Sequence, residues 1–231
     1  MPIIRGDSLL REVSGMPCCD AGFRQRDRFR RDAIDLIQSE NLLAAAHCWR
    51  IVDLDEPPGT ALVAGGETLE AGRLVPESGR LTALAVGICT IGPGVERRMS
   101  ALFAQRRMSL ALALDQVGND LLFVLVRRLQ DRMIAQARQR RLTVAGELRA
   151  GDPGLPLRAQ AAVWRLAGGD SIGVTVTEGQ ALRPLKSISM VLGVGIELPP
   201  AHWSRCDDCP SVLTCRISGR AAAAEILNGA V

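Results

Sequence analysis

Apolar positions recur at helical spacing in two long stretches, and strand-length apolar runs lie between and after them. From Arg26 to about Glu40, Phe29, Ala33, Leu36 and Ile37 fall on one face and predict an amphipathic helix. Residues 42–52 start helical and turn strand-like toward Val52; Asp55-Glu56-Pro57-Pro58-Gly59 then makes a turn. Two short strands are expected around 61–63 and 69–74, with Gly65-Gly66 between them. The run 81–90 (Leu-Thr-Ala-Leu-Ala-Val-Gly-Ile-Cys-Thr) is nearly continuous in apolar character and stops at Gly92-Pro93-Gly94. That pattern suits a central strand covered on both faces.

Helices dominate from Val95, first near 95–105 and then over about 109–138. Along the second, Leu110, Leu114, Val117, Leu121, Val124, Leu125, Leu129 and Met133 recur at helical intervals. Gly118 inside it costs about 1 kcal/mol against alanine, which predicts close packing on a neighbour. Gly151, Pro153 and Pro156 mark a loop, and 157–166 fits a helix ended by Gly168-Gly169. Strands are expected at 172–177 and 186–198, joined by the 178–185 loop as an antiparallel pair. No regular βαβ alternation is present, so the expected class is α+β: a twisted, mainly antiparallel sheet packed with long helices. Residues 1–25 read as a loosely packed arm, 26–200 as the domain, and 201–231 as a cysteine-containing tail.

Composition narrows the function. The net charge of +3 is small and not gathered into one block, so no nucleic-acid partner is expected. The first residues lack the apolar core of a signal peptide, and no stretch reaches roughly 18 uncharged apolar residues. A cytoplasmic protein without a membrane segment is the expectation. Seven cysteines then favour reduced thiols, and a metal site, over a disulfide framework. Aromatics are scarce, with no tyrosine at all, and Lys186 is the sole lysine.

Cys206, Cys209 and Cys215 place three thiolates in one short segment containing Pro210. That set suits zinc or an iron–sulfur cluster completed by His202, Cys48 or Cys89; reduced structural thiols are the alternative. Asp115 and Asn119 lie one turn apart on the long predicted helix and share a face. No Ser-His-Asp set, Walker loop, dinucleotide fingerprint or HExxH is present, and no residue is assigned a catalytic role.

Three motifs stand in a definite order: Thr90-Ile91-Gly92-Pro93, then Arg149-Ala150-Gly151-Asp152-Pro153-Gly154-Leu155, then Thr177-Glu178 through Pro184 to Ser187-Ile188-Ser189. Together they resemble the activation (reactivation) domain of cobalamin-dependent methionine synthase, over roughly Asp27 to Cys215. The family pattern is T-x-G-P, R-x-x-x-G-Y and T-E-S-x-x-M-x-P-x-x-S-V-S. Here four residues separate Arg149 from Gly154, Leu155 replaces the tyrosine, Gly179 the serine and Leu182 the methionine.

The resemblance implies S-adenosylmethionine in a shallow groove at a sheet edge. Arg149, Gly154, Glu178, Pro184, Ser187 and Asp115 would be its binding residues. A surface arginine before a turn, a hairpin loop satisfied by its own hydroxyls, and solvated helix acids are the plainer readings of the same positions. The missing tyrosine removes a cation–π contribution of roughly 0.5–2 kcal/mol to a sulfonium. The implied role is that of a free-standing accessory protein. It would help reactivate a cobalamin-binding methyltransferase by reductive remethylation, first a split methionine synthase, with the corrinoid carried by that partner and a flavodoxin-like or ferredoxin-like reductant supplying the electron. The alternative is a non-catalytic module that docks on a corrinoid protein, or that carries a metal or iron–sulfur cluster for electron transfer. Whether the chain is itself an enzyme stays open.

Overall fold

The computed structural model describes residues 6–15 and 24–199. Along the chain come α1 (Gly6–Ser14), α2 (Arg24–Ser39), β1 (Ala46–Asp53), β2 (Leu62–Ala64), β3 (Glu67–Leu69) and β4 (Arg80–Thr90). They are followed by α3 (Gly94–Ala104), α4 (Met108–Gln139), β5 (Thr143–Leu148), α5 (Gln160–Ala167), β6 (Thr175–Val176), β7 (Leu182–Arg183) and β8 (Ser187–Ile196). The main sheet has the order β1-β4-β8-β5, and every neighbouring pair is antiparallel. The fold is α+β, as expected.

Strand β4 is central and buried along almost its whole length, which is why it reads as an unbroken apolar run. Its two faces differ in size. Ala83, Ala85 and Cys89 turn toward α4, whereas Leu84, Val86 and Ile88 turn toward α5. The small face lets α4 lie close: a Cβ built on Gly87 would sit 3.1 Å from Leu129 Cδ2 and 3.2 Å from Met133 Sδ. Gly118 does the same from the helix side, where an added Cβ would be 3.1 Å from Val95 Cγ1 of α3. α1, α2 and α3 close over the rest of α4. By length and composition alone α4 could cross a membrane. Here its apolar face, from Leu110 to Ala137, is buried in the core.

The opposite face of the sheet carries α5, the β2–β3 hairpin and the short β6–β7 pair. Several expectations change. Residues 42–45 are not helical; β1 begins directly at Ala46. The second short strand is β3, and 72–74 forms a 3-10 turn. β6 pairs with β7 rather than with β8, because β8 is taken on both sides by β4 and β5. Strand β5 has no counterpart in the sequence reading. The arm expected to be loosely packed contains α1, whose Leu9, Leu10 and Val13 are buried in the α4-side core. Arg128 of α4 holds it through Ser8 Oγ (2.8 Å) and Glu12 (2.8 Å).

His47 on β1 is buried on the helical side, and Arg132 donates to its Nε2 at 2.5 Å. The ring proton therefore sits on Nδ1, which has no hydrogen-bond partner among the described residues. Burial first, and the Arg132 charge second, hold the imidazole pKa below its usual 6.5. A base with a depressed folded pKa favours the neutral form, so its stabilisation is present above pH 6.5 and lost as pH falls below it.

Two outcomes follow from this packing. Gly87→Val should destabilise the protein by about 1–3 kcal/mol in chemical denaturation, through overpacking against α4. Between pH 7.5 and 5.5 the denaturation midpoint of the native protein should fall, and His47→Gln should flatten that slope.

Candidate functional site

The C-terminal end of β4 and the N-terminal end of β8 meet at a hydroxyl hub. Ser187 Oγ donates to the Pro184 carbonyl (2.6 Å) and lies 2.8 Å from Thr90 Oγ1. Thr90 donates to the Lys186 carbonyl (3.3 Å) and accepts from Gly92 N–H (3.0 Å). The Ile91 N–H adds a bond to the same Lys186 carbonyl (3.1 Å). These contacts join the Thr-x-Gly-Pro turn to the loop before β8, in which Arg183–Pro184 is cis. Both hydroxyls are buried, so the Ser187 hydroxyl is committed inside the protein.

Charged groups clamp the same loop from outside. Glu96, in the first turn of α3, accepts the Leu185 N–H (2.8 Å) and pairs with Arg183 (3.4 Å). Lys186 reaches α4, donating to Asp115 Oδ1 (2.5 Å) and Asn119 Oδ1 (2.6 Å). Asp115, a sequence candidate, is thus the partner of the only lysine. Glu178 sits elsewhere, exposed at the tip of the β6–β7 hairpin. Thr177 supports that tip through its N–H to the Ala181 carbonyl (2.9 Å) and its Oγ1, which accepts from Ala181 N–H (3.0 Å).

Arg149 leaves the end of β5 beside β8, since Leu148 pairs with Val191. Its guanidinium lies 2.9 Å from Glu147 Oε1, and Gln130 of α4 donates to Glu147 Oε2 at 2.5 Å. Both charged side chains are mostly covered, Arg149 at 16% and Glu147 at 19% exposure. The bend after Arg149 closes on itself: Asp152 Oδ2 accepts the Arg149 N–H (2.8 Å), and Gly151 N–H donates to the Leu155 carbonyl (2.9 Å). Gly154 is exposed at φ 93°, with its Cα against the Arg73 side chain, so a Cβ there would be both strained and crowded. Leu155 is fully buried in the α5-side core, so the position of the family tyrosine turns inward.

Arg149, Pro184 and Ser187 therefore belong to one region, the β5–β8 edge and the loop that enters β8. A further bond ties β8 to the start of α5: Ser189 Oγ lies 3.2 Å from Gln160 Oε1. Asp115 joins the region through Lys186, whereas among the described residues no hydrogen bond or ion pair joins Glu178 to Arg149. Asn119 and Gln130 stand eleven residues apart on α4, about 16 Å along the axis, and so mark the two ends of this flank.

Glu147, Gln130, Glu96 and Gln160 were missed from sequence. The Glu147-x-Arg149 spacing puts both side chains on one face of a strand, a signal hidden because β5 itself went unseen.

Cys206, Cys209, Cys215 and His202 lie outside the described residues. Among the described residues no cluster of three or more potential metal ligands occurs. Cys48 packs on the α5-side core and Cys89 in the α4-side core, so they cannot serve one ligand set together. Burial pushes the Cys89 thiol up to about 12, partly opposed by the nearby Arg149 charge.

No protein-family model and no curated protein matches the chain. Among solved structures, a crystal structure of the MetH reactivation domain bound to AdoHcy matches with a TM-score of 0.51 and 13% identity. The match covers 90% of this chain and 79% of that one. At such low identity the likeness is one of fold: an α+β domain resembling the MetH reactivation domain.

Lys186→Met should cost about 1–2 kcal/mol, the scale of a hydrogen bond to a charged group. It should also speed amide exchange at Leu185 and Ile91, and a double-mutant cycle with Asp115→Asn should show coupling.

Proposed function

We propose that this chain is an accessory protein for reductive reactivation of a separate cobalamin-dependent methyltransferase, first of all a split methionine synthase. The observation that carries the reading is the fold likeness over most of the chain, together with where the three motifs fall on that fold. The Thr90 turn and the Pro184–Ser189 segment interlock, and the Arg149 bend follows β5, the strand beside β8.

The residues present suit the amino-acid part of S-adenosylmethionine. Arg149 offers a guanidinium fork for a carboxylate, and Glu147 offers a carboxylate for the ammonium group beside it. A bound zwitterion would exchange their mutual contact for two of its own. The bend supplies backbone groups at the strand edge, while Leu155 supplies no aromatic face. When bound, S-adenosylmethionine would supply a methyl cation equivalent and leave as S-adenosylhomocysteine, after one electron from a flavodoxin-like or ferredoxin-like reductant takes Co(II) to Co(I) on the partner. This chain's part is placement, a proximity contribution without acid–base groups. The clamped Pro184 loop keeps the N-terminal end of β8, ahead of its pairing with β5, rigid for that purpose.

Titration calorimetry with S-adenosylmethionine and S-adenosylhomocysteine tests the reading. Both should bind, and Arg149→Ala should weaken them about tenfold or more. Binding of neither compound, with retained affinity for a corrinoid methyltransferase, would replace this reading with that of a non-catalytic docking module.

A further inference from the structure

Seven large apolar side chains are exposed among the described residues, and five of them fall on the surface shared by α3, α4 and the loop entering β8: Phe103, Met108, Leu112, Phe123 and Leu185. Helix geometry puts them there. Leu112, Asn119, Phe123 and Gln130 recur at helical intervals along one flank of α4, and Met108 lies one turn before Leu112. Asn119 accepts from Lys186 and Gln130 donates to Glu147, so this flank borders both the loop and β5. On α3, Glu96 and Phe103 are two turns apart and share a face, and Glu96 holds the Leu185 N–H. Leu185 is 53% exposed and Leu112 62%. Single exposed apolar residues are ordinary, but a row of them bordered by charge marks a contact surface.

The charges bordering the row have one sign. From Arg97 to Leu114 the chain holds four arginines (Arg97, Arg98, Arg106 and Arg107) and no acidic residue. Arg98 pairs with Glu40. Arg97, Arg106 and Arg107 are exposed, and their side chains have no hydrogen bond or ion pair among the described residues. The acids that flank this stretch, Glu96 and Asp115, are already engaged by Arg183 and Lys186. Phe, Met and Arg are the residues enriched in protein–protein contacts, and free guanidinium forks match carboxylates. Electrostatic attachment to a membrane takes about four to eight clustered cations, more than are free here. A second copy docked through the same surface would set arginine against arginine.

We propose that this surface docks the cobalamin-carrying methyltransferase, against a face of that partner with apolar residues at its centre and carboxylates at its rim. This rests on the function proposed above and adds the surface and the chemistry of the contact. Direct methyl transfer brings the reacting atoms to about 3–3.5 Å, so the partner must cover the chain beside the Arg149 bend. The flank of α4 that carries Leu112 and Phe123 ends there, at Gln130 and the Glu147–Arg149 pair.

The test measures binding of the methyltransferase, with its cobalamin bound, to the native protein, to Leu112→Glu and to the double variant Arg106→Glu, Arg107→Glu. Ile196→Glu, exposed at the far end of β8, is the control. All these positions are at the surface, so melting temperatures should stay native. Leu112→Glu should weaken binding roughly tenfold or more. The arginine variant should slow association roughly tenfold at low salt and lose most of the native salt dependence. Ile196→Glu should bind as the native protein does. Affinity for S-adenosylhomocysteine should stay within about twofold throughout, because none of these side chains touches the Arg149 pair.

Native affinity for the methyltransferase in both Leu112→Glu and the arginine variant would overturn the proposal and leave the functional reading standing. So would a native protein that binds S-adenosylhomocysteine but not the methyltransferase. Dimerisation abolished by Leu112→Glu in light scattering, or binding to phosphatidylserine vesicles abolished by it, would overturn the proposal in favour of a second copy or a membrane. If the native protein binds neither S-adenosylhomocysteine nor the methyltransferase, the functional reading falls and this inference with it.

Discussion

The close seating of α4 on the small-residue face of β4 is the constraint on which the rest of this structure depends. A helix can approach a sheet this nearly only where the facing side chains are short, and Ala83, Ala85, Gly87 and Cys89 provide that strip. The bulk that they lack is supplied on the other face by Leu84, Val86 and Ile88, which seat α5 and the small hairpins. Interiors are close-packed, so the two layers are not interchangeable: large residues on the α4 face would lift the helix bodily. Because α4 is fixed in this way, its polar flank is fixed too. Asp115 and Asn119 face the loop entering β8, and Gln130 faces β5.

From that placement the site region gains its rigidity. The loop before β8 is held by two buried hydroxyls, one helix-start carboxylate and one lysine, each on a different element. Half-covered charges contribute little individually when solvent reaches them. Here they act with backbone acceptors and a buried hydroxyl pair, so the loop is defined by several contacts at once. The single lysine of the chain is thereby used for a structural tie, and the arginine side of the composition is left to make surface pairs such as Arg158–Glu70 and Arg165–Glu67.

What the sequence disclosed depended on how far each element declares itself locally. The 81–90 run and the periodic stretch of α4 were legible because both are long and their burial patterns are regular. Gly118 was legible as a close approach because a helix-interior glycine asks for a reason. Strand β5 was not: Thr-Val-Ala-Gly-Glu-Leu is short, contains a glycine, and bears Glu147 on a face that looks solvated until Arg149 and Gln130 are placed beside it. The pairing of β6 failed for a different reason. A hairpin argument uses sequence proximity, whereas β8 is claimed by β4 and β5, both far away in the chain. The motifs showed which residues matter near the site but not which of them are occupied internally. Ser187 and Thr177 both turned out to serve backbone groups.

Polar residues around the N-terminal end of β8 therefore separate into two kinds. Ser187, Thr90, Lys186 and Asp115 satisfy one another and explain themselves as architecture. The Glu147–Arg149 pair and Gln160 do not explain themselves so fully. The first places a mostly covered salt bridge at a strand edge, where it would cost more to desolvate than an apolar pair of similar size. The second leaves an amide donor unmet inside the protein. Among the described residues His47 Nδ1 and Gln180 Oε1 are likewise buried without a partner, so such departures also occur away from the bend between β5 and α5. Local departures of that kind concentrate where a chain serves something besides its own folding. The Glu147–Arg149 pair faces α4, whereas Gln160 meets Ser189 on the face that carries α5, so the two stand on opposite sides of the sheet.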